Sequence, residues 1–245
     1  MRSRTHLIAG TLATMEITIL CGLPIVPLSL PVVMACSVVP DIDEANSNVL
    51  NKLISKDITK KIHSAILFLF AIISFYMYLR TGINLYIATI LALLLTIFTS
   101  KWLTSSLIRS LVISAMFLLI TASMYLYDFN PGYTILTLVL AIYPLLKHRG
   151  MSHSLLAILI VFALFTCIEK NGGPKNLAYP ASIAYASHLV FDMATKRGVP
   201  LFLPFSNKYH RFANLRVGSF TCNLVEKVLI LILTFVLLVS LAYKL

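Results

Sequence analysis

Residues 224–243 read LVEKVLILILTFVLLVSLAY, and this stretch decides the fold class because nearly all of its side chains are apolar. A helix needs roughly 20 mostly apolar residues to cross the hydrocarbon core of a bilayer. Comparable stretches recur along the 245-residue chain, which is 59% apolar and only 12% charged. A soluble domain carries roughly 25% charged residues. The sequence therefore predicts an all-α integral membrane protein and excludes an ordinary soluble domain.

Apolar segments alternate with breaks rich in Gly, Pro and Asn, which predicts a polytopic bundle of about nine helices. The predicted helices cover approximately residues 5–20, 25–39, 63–80, 83–100, 106–127, 132–147, 153–169, 177–195 and 224–243. No internal repeat and no linker interrupts this pattern. We therefore expect a single membrane-embedded domain over residues 1–245.

The Lys and Arg residues divide unequally when these helices are threaded alternately across the membrane from a cytoplasmic N-terminus. Of the 20 such residues, Arg80, Lys170, Lys175 and Lys244 fall on the outer side, which leaves 16 on the inner side. Cytoplasmic loops of membrane proteins carry such an excess of positive charge. The pattern predicts a multi-pass protein with a cytoplasmic N-terminus. It also accounts for the formal net charge of +11, so we do not expect nucleic acid as a partner.

Four separate stretches bring ionisable side chains to the cytoplasmic face under this threading. Their candidate ligands are His6, Asp41, Asp43, His148, His153, His188 and Asp192. His188 and Asp192 are four residues apart, so they share one face of their predicted helix. Asp41 and Asp43 are two residues apart, and such a pair points the same way in an extended segment.

Imidazole and carboxylate groups together suit Zn²⁺, Mn²⁺ or Fe²⁺ as ligands. Each group also has a plainer explanation. Asp41 and Asp43 fit a solvated loop, His148 fits a cation at a helix end, and His188 with Asp192 fits a structural pair. Ionisable groups near the hydrocarbon are costly, however, and a functional role is their default interpretation. The placement of all four groups at one depth predicts a divalent-metal site at the cytoplasmic face, with Zn²⁺ as the leading candidate.

The same residues lie in motifs that follow one another along the chain. The motifs are PDID at residues 40–43, HRGMSHSL at 148–155, SHLVFD at 187–192 and GVPLFLP at 198–204. In order and spacing they resemble the YdjM-like family, whose usual pattern is an N-terminal His, PDID followed by His, HRGxTHS, SHxxxD and GVxLxxP. The resemblance runs from His6 to Pro204. It implies a bacterial inner-membrane protein, LexA-regulated in some members, that is predicted to be a metal-dependent hydrolase.

The resemblance also implies roles for individual residues. The metal ligands would be His6, Asp41, Asp43, His148, His153, His188 and Asp192. In the leading hypothesis of a metal-dependent hydrolase, the catalytic residues are Asp41, Asp43, Arg149 and His153. A carboxylate would bridge ions or orient the nucleophile, and Arg149 would steady phosphate charge. The hydroxyl groups of Ser152 and Ser154 are expected to orient neighbouring ligands.

Some positions depart from the family pattern or lie outside it. Glu44 stands where the family often has His, and the helices at about residues 63–127 look inserted relative to compact members. We expect those helices to face lipid. Asn223 and Glu226 have the spacing of a capping box and are expected to begin the last helix. Glu16 lies mid-helix and is expected to be a buried partner.

The leading functional hypothesis is a membrane-bound metal-dependent hydrolase acting at the cytoplasmic face on a phosphoester of a lipid or lipid-linked substrate. The segment from Lys196 to Phe220 mixes cationic and aromatic residues, as an interfacial stretch or a plain membrane anchor does. The alternatives are a transporter or metal-handling protein and a protein with a purely structural metal. A transporter would place ionisable residues near the midplane, whereas these gather at one face. The oligomeric state is left open.

Overall fold

The computed structural model describes residues 2–43, 55–81 and 104–244, together with residues 87, 90 and 94. Within these ranges the chain is helical, and the described residues form isolated β-bridges but no strand. The α-helices are α1 (Ser3–Leu20), α2 (Ser29–Cys36), α3 (Lys56–Thr81), α4 (Ser105–Leu126), α5 (Pro131–Ile142), α6 (Leu155–Lys170), α7 (Ala178–Met193) and α8 (Phe220–Lys244). Short 3-10 segments lie at Val39–Asp43, Tyr143–Leu145 and Met151–His153. The all-α prediction is confirmed.

The predicted and observed helices differ in number and in their ends. The predicted helix at residues 83–100 falls mostly outside the described residues, so the count of nine stays a prediction. Glu44 lies outside them as well. The predicted helix at 25–39 is shorter, because α2 ends at Cys36 and a 3-10 segment follows. The interpretation of residues 63–127 as an insertion also stays a prediction.

In the part of the chain that the structure describes, two helices are long and apolar enough to cross a bilayer, namely those at Ser106–Leu126 and Phe220–Tyr243. A third apolar helical stretch, Pro131–Leu145, is shorter. Along α8 the large side chains point outward, and Leu231 and Phe235 are 70% and 66% exposed. An exposed apolar surface of this size is unfavourable in water, whereas the hydrocarbon chains of a bilayer would cover it. These helices fit insertion in a membrane.

The central helix of the described bundle is α7, which packs against α1, α2 and α6. Its buried face carries the small residues Ala178, Ala181 and Ala184. Small side chains let helix backbones approach closely, which is how helices pack where lipid removes the hydrophobic driving force. As a result the last two turns of α7, with His188 and Asp192, lie in the middle of the protein.

Buried carboxylates fasten α1 to α8 and so fix where His6 lies. The Ser240 hydroxyl donates to Glu16 at 2.6 Å, which bears out the expectation that Glu16 is a buried partner. The Thr5 hydroxyl donates to Glu226 at 2.8 Å. The capping-box prediction for Glu226 is wrong, because α8 begins one turn earlier and Ser219 accepts the cap hydrogen bond there. Glu226 is an inter-helix contact instead.

Candidate metal centre

The seven side chains predicted to bind metal lie in one cluster, although they come from distant parts of the chain. The N-terminal part of α1, the segment after α2, the connection between α5 and α6, and the end of α7 all contribute. Contacts of 2.7 to 3.9 Å join His6 to Asp192, Asp192 to His153 and His188, His188 to Asp41, His153 to Asp43, and Asp43 to His148. The structure thus brings all seven together.

Asp192 is the centre of the cluster, because three imidazole rings approach its carboxylate. Oδ1 lies 3.4 Å from Nε2 of His6. Oδ2 lies 3.5 Å from Nε2 of His153 and 3.9 Å from Nε2 of His188. A nitrogen of the Arg149 guanidinium lies 3.0 Å from Oδ1 and balances the carboxylate charge. All of these side chains are buried, so water screens their interactions little.

The hydrogen bonds that two rings make through Nδ1 leave their Nε2 atoms facing Asp192. Nδ1 of His188 lies 2.8 Å from the carbonyl oxygen of Ser37, which only accepts, so Nδ1 carries the proton. Nδ1 of His153 lies 3.0 Å from the Ser152 hydroxyl and 3.3 Å from a carboxylate oxygen of Asp43; because that hydroxyl donates its own proton to Asp43, Nδ1 of His153 carries a proton as well. In metal sites a ligating histidine almost always donates its other ring N–H to a carbonyl or carboxylate. Both rings have this arrangement.

The nitrogens that face the centre lack hydrogen bonds. Among the described residues, Nε2 of His6, His153 and His188 are all buried without a hydrogen-bond partner. Leaving such an atom unsatisfied costs about 1–3 kcal/mol. The ligand atoms of His6, His188 and Asp192 all lie within 4.8 Å of one another, as do those of Asp41, His153 and His188, and those of Asp43, His148 and His153. The donor set therefore fits a divalent metal ion.

The two aspartates after α2 face different partners, and the prediction that they point the same way is wrong. The segment Val39–Asp43 is a 3-10 helix rather than extended chain. With about three residues per turn, side chains two positions apart diverge. Asp41 consequently faces His188 at 3.5 Å and accepts a hydrogen bond from the Ser3 hydroxyl at 3.0 Å. Asp43 instead faces the connection between α5 and α6.

Asp43 accepts hydrogen bonds from several groups of that connection. Nδ1 of His148 lies 2.7 Å away and the backbone N–H of Arg149 donates at 3.2 Å. The Ser152 hydroxyl donates to the same carboxylate, and His153 approaches it with Nδ1. A carboxylate offers about four lone-pair sites. Asp43 thus holds the two imidazole rings in place, and its lone pairs are largely engaged by protein donors.

The turn between these rings depends on an unusual backbone. Arg149 has a left-handed φ of 56°, and a Cβ at Gly150 would lie 2.6 Å from the carbonyl oxygen of Lys147. Only glycine fits there without a shift of the chain. The turn directs the Arg149 guanidinium inward, where it donates to Thr195 and to the carbonyl of Gly198, both at 3.0 Å. Arg149 is therefore tied to the cluster through several protein contacts.

The two serines of this motif have different roles. The Ser152 hydroxyl contacts Asp43 and lies 3.0 Å from Nδ1 of His153, as expected for a group that orients ligands. Ser154 instead caps α6: it accepts from the Ala157 amide and donates to a backbone carbonyl. The expectation that Ser154 orients a ligand is wrong, because its side chain is used by the helix terminus.

Two contributors were not predicted from the sequence. Ser3 lies three residues before His6 on α1, so the i, i+3 spacing was a signal that both reach the same site. Ser37 contributes only its backbone carbonyl to His188. Every residue has such a carbonyl, and no side-chain pattern marks this one.

A cleft of about 540 Å³ opens beside the cluster. Its lining residues are Lys147, His148, Arg149, Arg197 and Tyr209. The Tyr209 hydroxyl donates to the carbonyl of Arg149 at 3.2 Å, which fastens the segment after α7 over the turn. Because His148 also contacts Asp43, the cleft reaches the outer edge of the cluster. Its cationic lining suits an anionic group.

The profile of the YdjM inner membrane protein family matches residues 1–245. The chain belongs to this family. It is 33% identical over 78 residues to the uncharacterized protein YvsG of Bacillus subtilis (strain 168), covering 32% of this chain and 47% of YvsG. It is 39% identical over 59 residues to the inner membrane protein YdjM of Escherichia coli (strain K12), covering 23% of this chain and 30% of that protein. The matches thus span less than half of these relatives. No solved structure is significantly similar.

Membership of this family and the two apolar helices place the protein in the inner membrane. The location predicted from the motifs is therefore confirmed. The number of membrane crossings and the side on which the N-terminus lies stay predictions from the charge pattern.

The ionisation of Asp41, Asp43 and His153, which lie outside the α-helices, follows from their contacts. Burial alone would raise the pKa of Asp43, but hydrogen bonds from His148 and His153 hold that pKa below its ordinary value. Burial opposes ionisation of Asp41 too, yet the contact with His188 lowers its pKa. Burial would lower the pKa of His153, but Asp192 and Asp43 raise it to about 9. His153 therefore binds a proton at neutral pH when no ion is bound.

Metal affinity should depend on pH because of that proton. A metal ion binds only the neutral imidazole, so it competes with the proton on His153. The carboxylates of Asp41 and Asp43 have lowered pKa values and are already ionised, so they add no dependence near neutrality. We expect affinity to rise from pH 6.5 to pH 9. Competition against a fluorescent chelator would measure this rise, and a constant affinity over that range would contradict it.

Ser152→Ala and Ser154→Ala form a matched pair that tests the roles of the two hydroxyl groups. Ser152→Ala should weaken metal affinity roughly 10- to 100-fold, because Asp43 and His153 lose a shared partner. Ser154→Ala should leave metal affinity unchanged and cost about 1 kcal/mol of stability through the lost helix cap. Metal competition titrations and thermal unfolding would separate the two effects. Equal metal affinities in both variants would remove Ser152 from the site.

Proposed function

We propose that this protein is a membrane-bound, metal-dependent hydrolase that acts at the cytoplasmic face on a phosphoester of a lipid or lipid-linked substrate. The observation that carries the proposal is the convergence of three buried Nε2 atoms, from His6, His153 and His188, on the carboxylate of Asp192. The cationic cleft beside this group supports a phosphate-bearing substrate.

The residues that would hold the ion are those whose free lone pairs face the centre. His6 and His188 would bind through Nε2 together with the Asp192 carboxylate, and His153 and Asp41 would complete a neighbouring donor group with His188. This donor set suits Zn²⁺ best, and Mn²⁺ or Fe²⁺ are the alternatives. Bound there, a divalent ion would polarise a phosphoryl oxygen and lower the pKa of water toward neutrality.

Asp41 is the best-placed general base among the described carboxylates. Among the described residues, its side chain accepts one hydrogen bond, from the Ser3 hydroxyl, and lies 3.5 Å from Nε2 of His188, whereas Asp43 is surrounded by donors. The contact with His188 lowers the pKa of Asp41, so the carboxylate is ionised at neutral pH and would accept a hydrogen bond from an attacking water and orient it for proton transfer. Asp43 orients the rings, and in this proposal it acts through them rather than on the substrate.

The cations of the cleft would bind the phosphate. Lys147 and Arg197 line the cleft, and both types of side chain form charge-assisted hydrogen bonds with phosphate oxygens. Arg149 lies between the cleft and Asp192, so it couples phosphate binding to the charge of the centre. The neighbouring aromatic residues Phe205 and Phe212 are exposed, as expected for a segment at the membrane surface.

One observation favours a second candidate, a metal that only joins helices. The rings of His6, His153 and His188 are almost completely buried, and structural metal sites are closed by protein ligands. Such a site would bind metal tightly and turn nothing over. A metal-handling or transport role, the other alternative, predicts movement of the ion across the membrane without hydrolysis.

Turnover by protein in phospholipid vesicles separates these functions. The metal-stripped and reloaded protein would be incubated with phosphatidate, phosphatidylglycerol and a polyisoprenyl phosphate, and products identified by mass spectrometry. The proposal predicts a phosphoester cleavage product with at least one substrate, only after metal is restored. Full metal loading with no product from any of them would favour the structural site. Metal uptake into the vesicles without product would favour transport.

The proposal requires the turn between α5 and α6 to face the cytoplasm. In a background with Cys21, Cys36, Cys167 and Cys222 replaced, Met151→Cys and Phe129→Cys form a matched pair at opposite ends of the bundle. Both positions are exposed, at 44% and 56%. A membrane-impermeant thiol reagent added to intact cells should label position 129 and spare position 151. The reverse pattern would place the site outside the cell.

A further inference from the structure

An apolar groove of about 300 Å³ lies between α2, α5, α6 and α7, separate from the cationic cleft. Val32, Cys36, Val139 and Phe165 contribute to its walls. Its rim opens to the outside of the bundle at Leu28 and at the neighbouring exposed residues of α2. Apart from Cys36, the lining side chains are aliphatic or aromatic, so water or a polar ligand gains little by entering the groove.

The groove runs toward the metal cluster. Along α5 and into the first residue of the 3-10 segment that follows, it extends from Tyr133 to Tyr143, ten residues, which is about 15 Å at 1.5 Å per residue. That length is about half of the roughly 30 Å hydrocarbon core, the depth filled by the chains of one leaflet. A second helix, about 10–12 Å across with its side chains, does not fit a groove of this volume. A single hydrocarbon chain does.

The end of the groove adjoins the cluster. There the hydroxyls of Tyr143 and Tyr185 lie 2.9 Å apart, and Tyr185 donates to the carbonyl of Ser152. Ser152 in turn contacts the Asp43 carboxylate and the His153 ring of the cluster. Four residues after Tyr143, Lys147 already lines the cationic cleft. The apolar groove and the cationic cleft are thus both lined by the segment from Tyr143 to Lys147.

We propose that the groove binds one acyl chain of an anionic phospholipid, whose phosphate head group lies at the cationic cleft. Its apolar lining, its one-leaflet depth and the adjacent positive charge match the two parts of such a lipid. The proposal that an acyl chain binds here depends only on the groove. The identification of the bound lipid as the substrate rests on the proposed function. The surrounding bilayer is as apolar as the groove, so an acyl chain gains no hydrophobic energy by entering it. The selection of one phospholipid over others therefore depends on the shape of the groove and on the charge of the head group.

Photocrosslinking tests this inference without any turnover. The protein would be placed in phosphatidylethanolamine vesicles containing phosphatidylglycerol with a diazirine in one acyl chain, and the labelled residues mapped by mass spectrometry. We expect the label to concentrate on groove residues such as Val139 and Phe165. Val139→Trp fills the groove and should lose most of that label. Leu138→Trp, at the 40% exposed neighbouring position, should retain it.

Each outcome decides the matter. Label spread evenly over exposed helix faces, already in the wild type, would overturn the proposal even if Val139→Trp failed to insert. Crosslinks between two copies of the chain through groove residues would assign the groove to a protein contact and also overturn it. Groove label that persists in a His188→Ala protein lacking metal and turnover would support the groove independently of the hydrolase. Turnover with scattered label would retain the hydrolase and reject the groove.

Discussion

His188→Ala protein should lose most of its bound metal while still inserting in the membrane. The ring is completely buried, its Nδ1 is fixed by the Ser37 carbonyl, and its Nε2 faces Asp192 and Asp41. Removal of a partner that only orients a ligand costs roughly 10- to 100-fold in affinity, and removal of a ligand should cost more. Elemental analysis of the purified protein would measure the metal per chain.

The matched control is His63→Ala on α3, which removes an imidazole that lies outside the cluster. Its metal content should equal that of the wild type. Asp192→Ala should also lose metal, but it leaves Arg149 as an unpaired buried charge, which typically costs 3–5 kcal/mol. His188→Ala is therefore the cleaner test. Unchanged metal content in His188→Ala would reduce the ring to a structural contact.

Asp41→Asn should lower kcat by roughly 10²- to 10⁴-fold, the usual contribution of a general base, while the metal content stays near that of the wild type. The amide is nearly the same size and still accepts from Ser3, but it no longer takes up a proton. Ser3→Ala, which removes the hydroxyl next to Asp41, is the control and should change kcat much less. Steady-state kinetics and elemental analysis on the same preparations would measure both quantities.

The result divides the roles of Asp41 clearly. Loss of metal along with turnover would make Asp41 a ligand rather than a base. Wild-type turnover and metal content with the amide would exclude both roles. Only retained metal with reduced kcat supports the base.

Local spacing and motif order predicted much of the site. The i, i+4 relation of His188 and Asp192 survives in the structure, because a regular helix carries both. The motifs at residues 40–43 and 148–155 identified the other stretches. Spacing alone does not say which stretches meet, and it was the order of the motifs that suggested one site. The inner-membrane family then agrees with the apolar composition.

Irregular backbone is where prediction from the sequence failed. The 3-10 segment after α2 turns Asp41 and Asp43 toward different partners, and nothing in their spacing distinguishes it from an extended segment. Ser152 and Ser154 are chemically identical, and the start of α6 decides that one orients ligands while the other caps a helix. Glu226 was predicted to cap α8, yet it contacts the distant Thr5. These outcomes depend on tertiary contacts.

X-ray absorption at the metal edge of the purified wild-type protein tests the central claim most directly. The account predicts at least one divalent ion per chain. Its ligands should be imidazole nitrogen and carboxylate oxygen atoms at about 2.0–2.2 Å, with the multiple-scattering signature of several imidazole rings. Absence of a stoichiometric metal would contradict the account. So would sulfur ligands at about 2.3 Å, because they would place the metal at cysteines rather than at the cluster around Asp192.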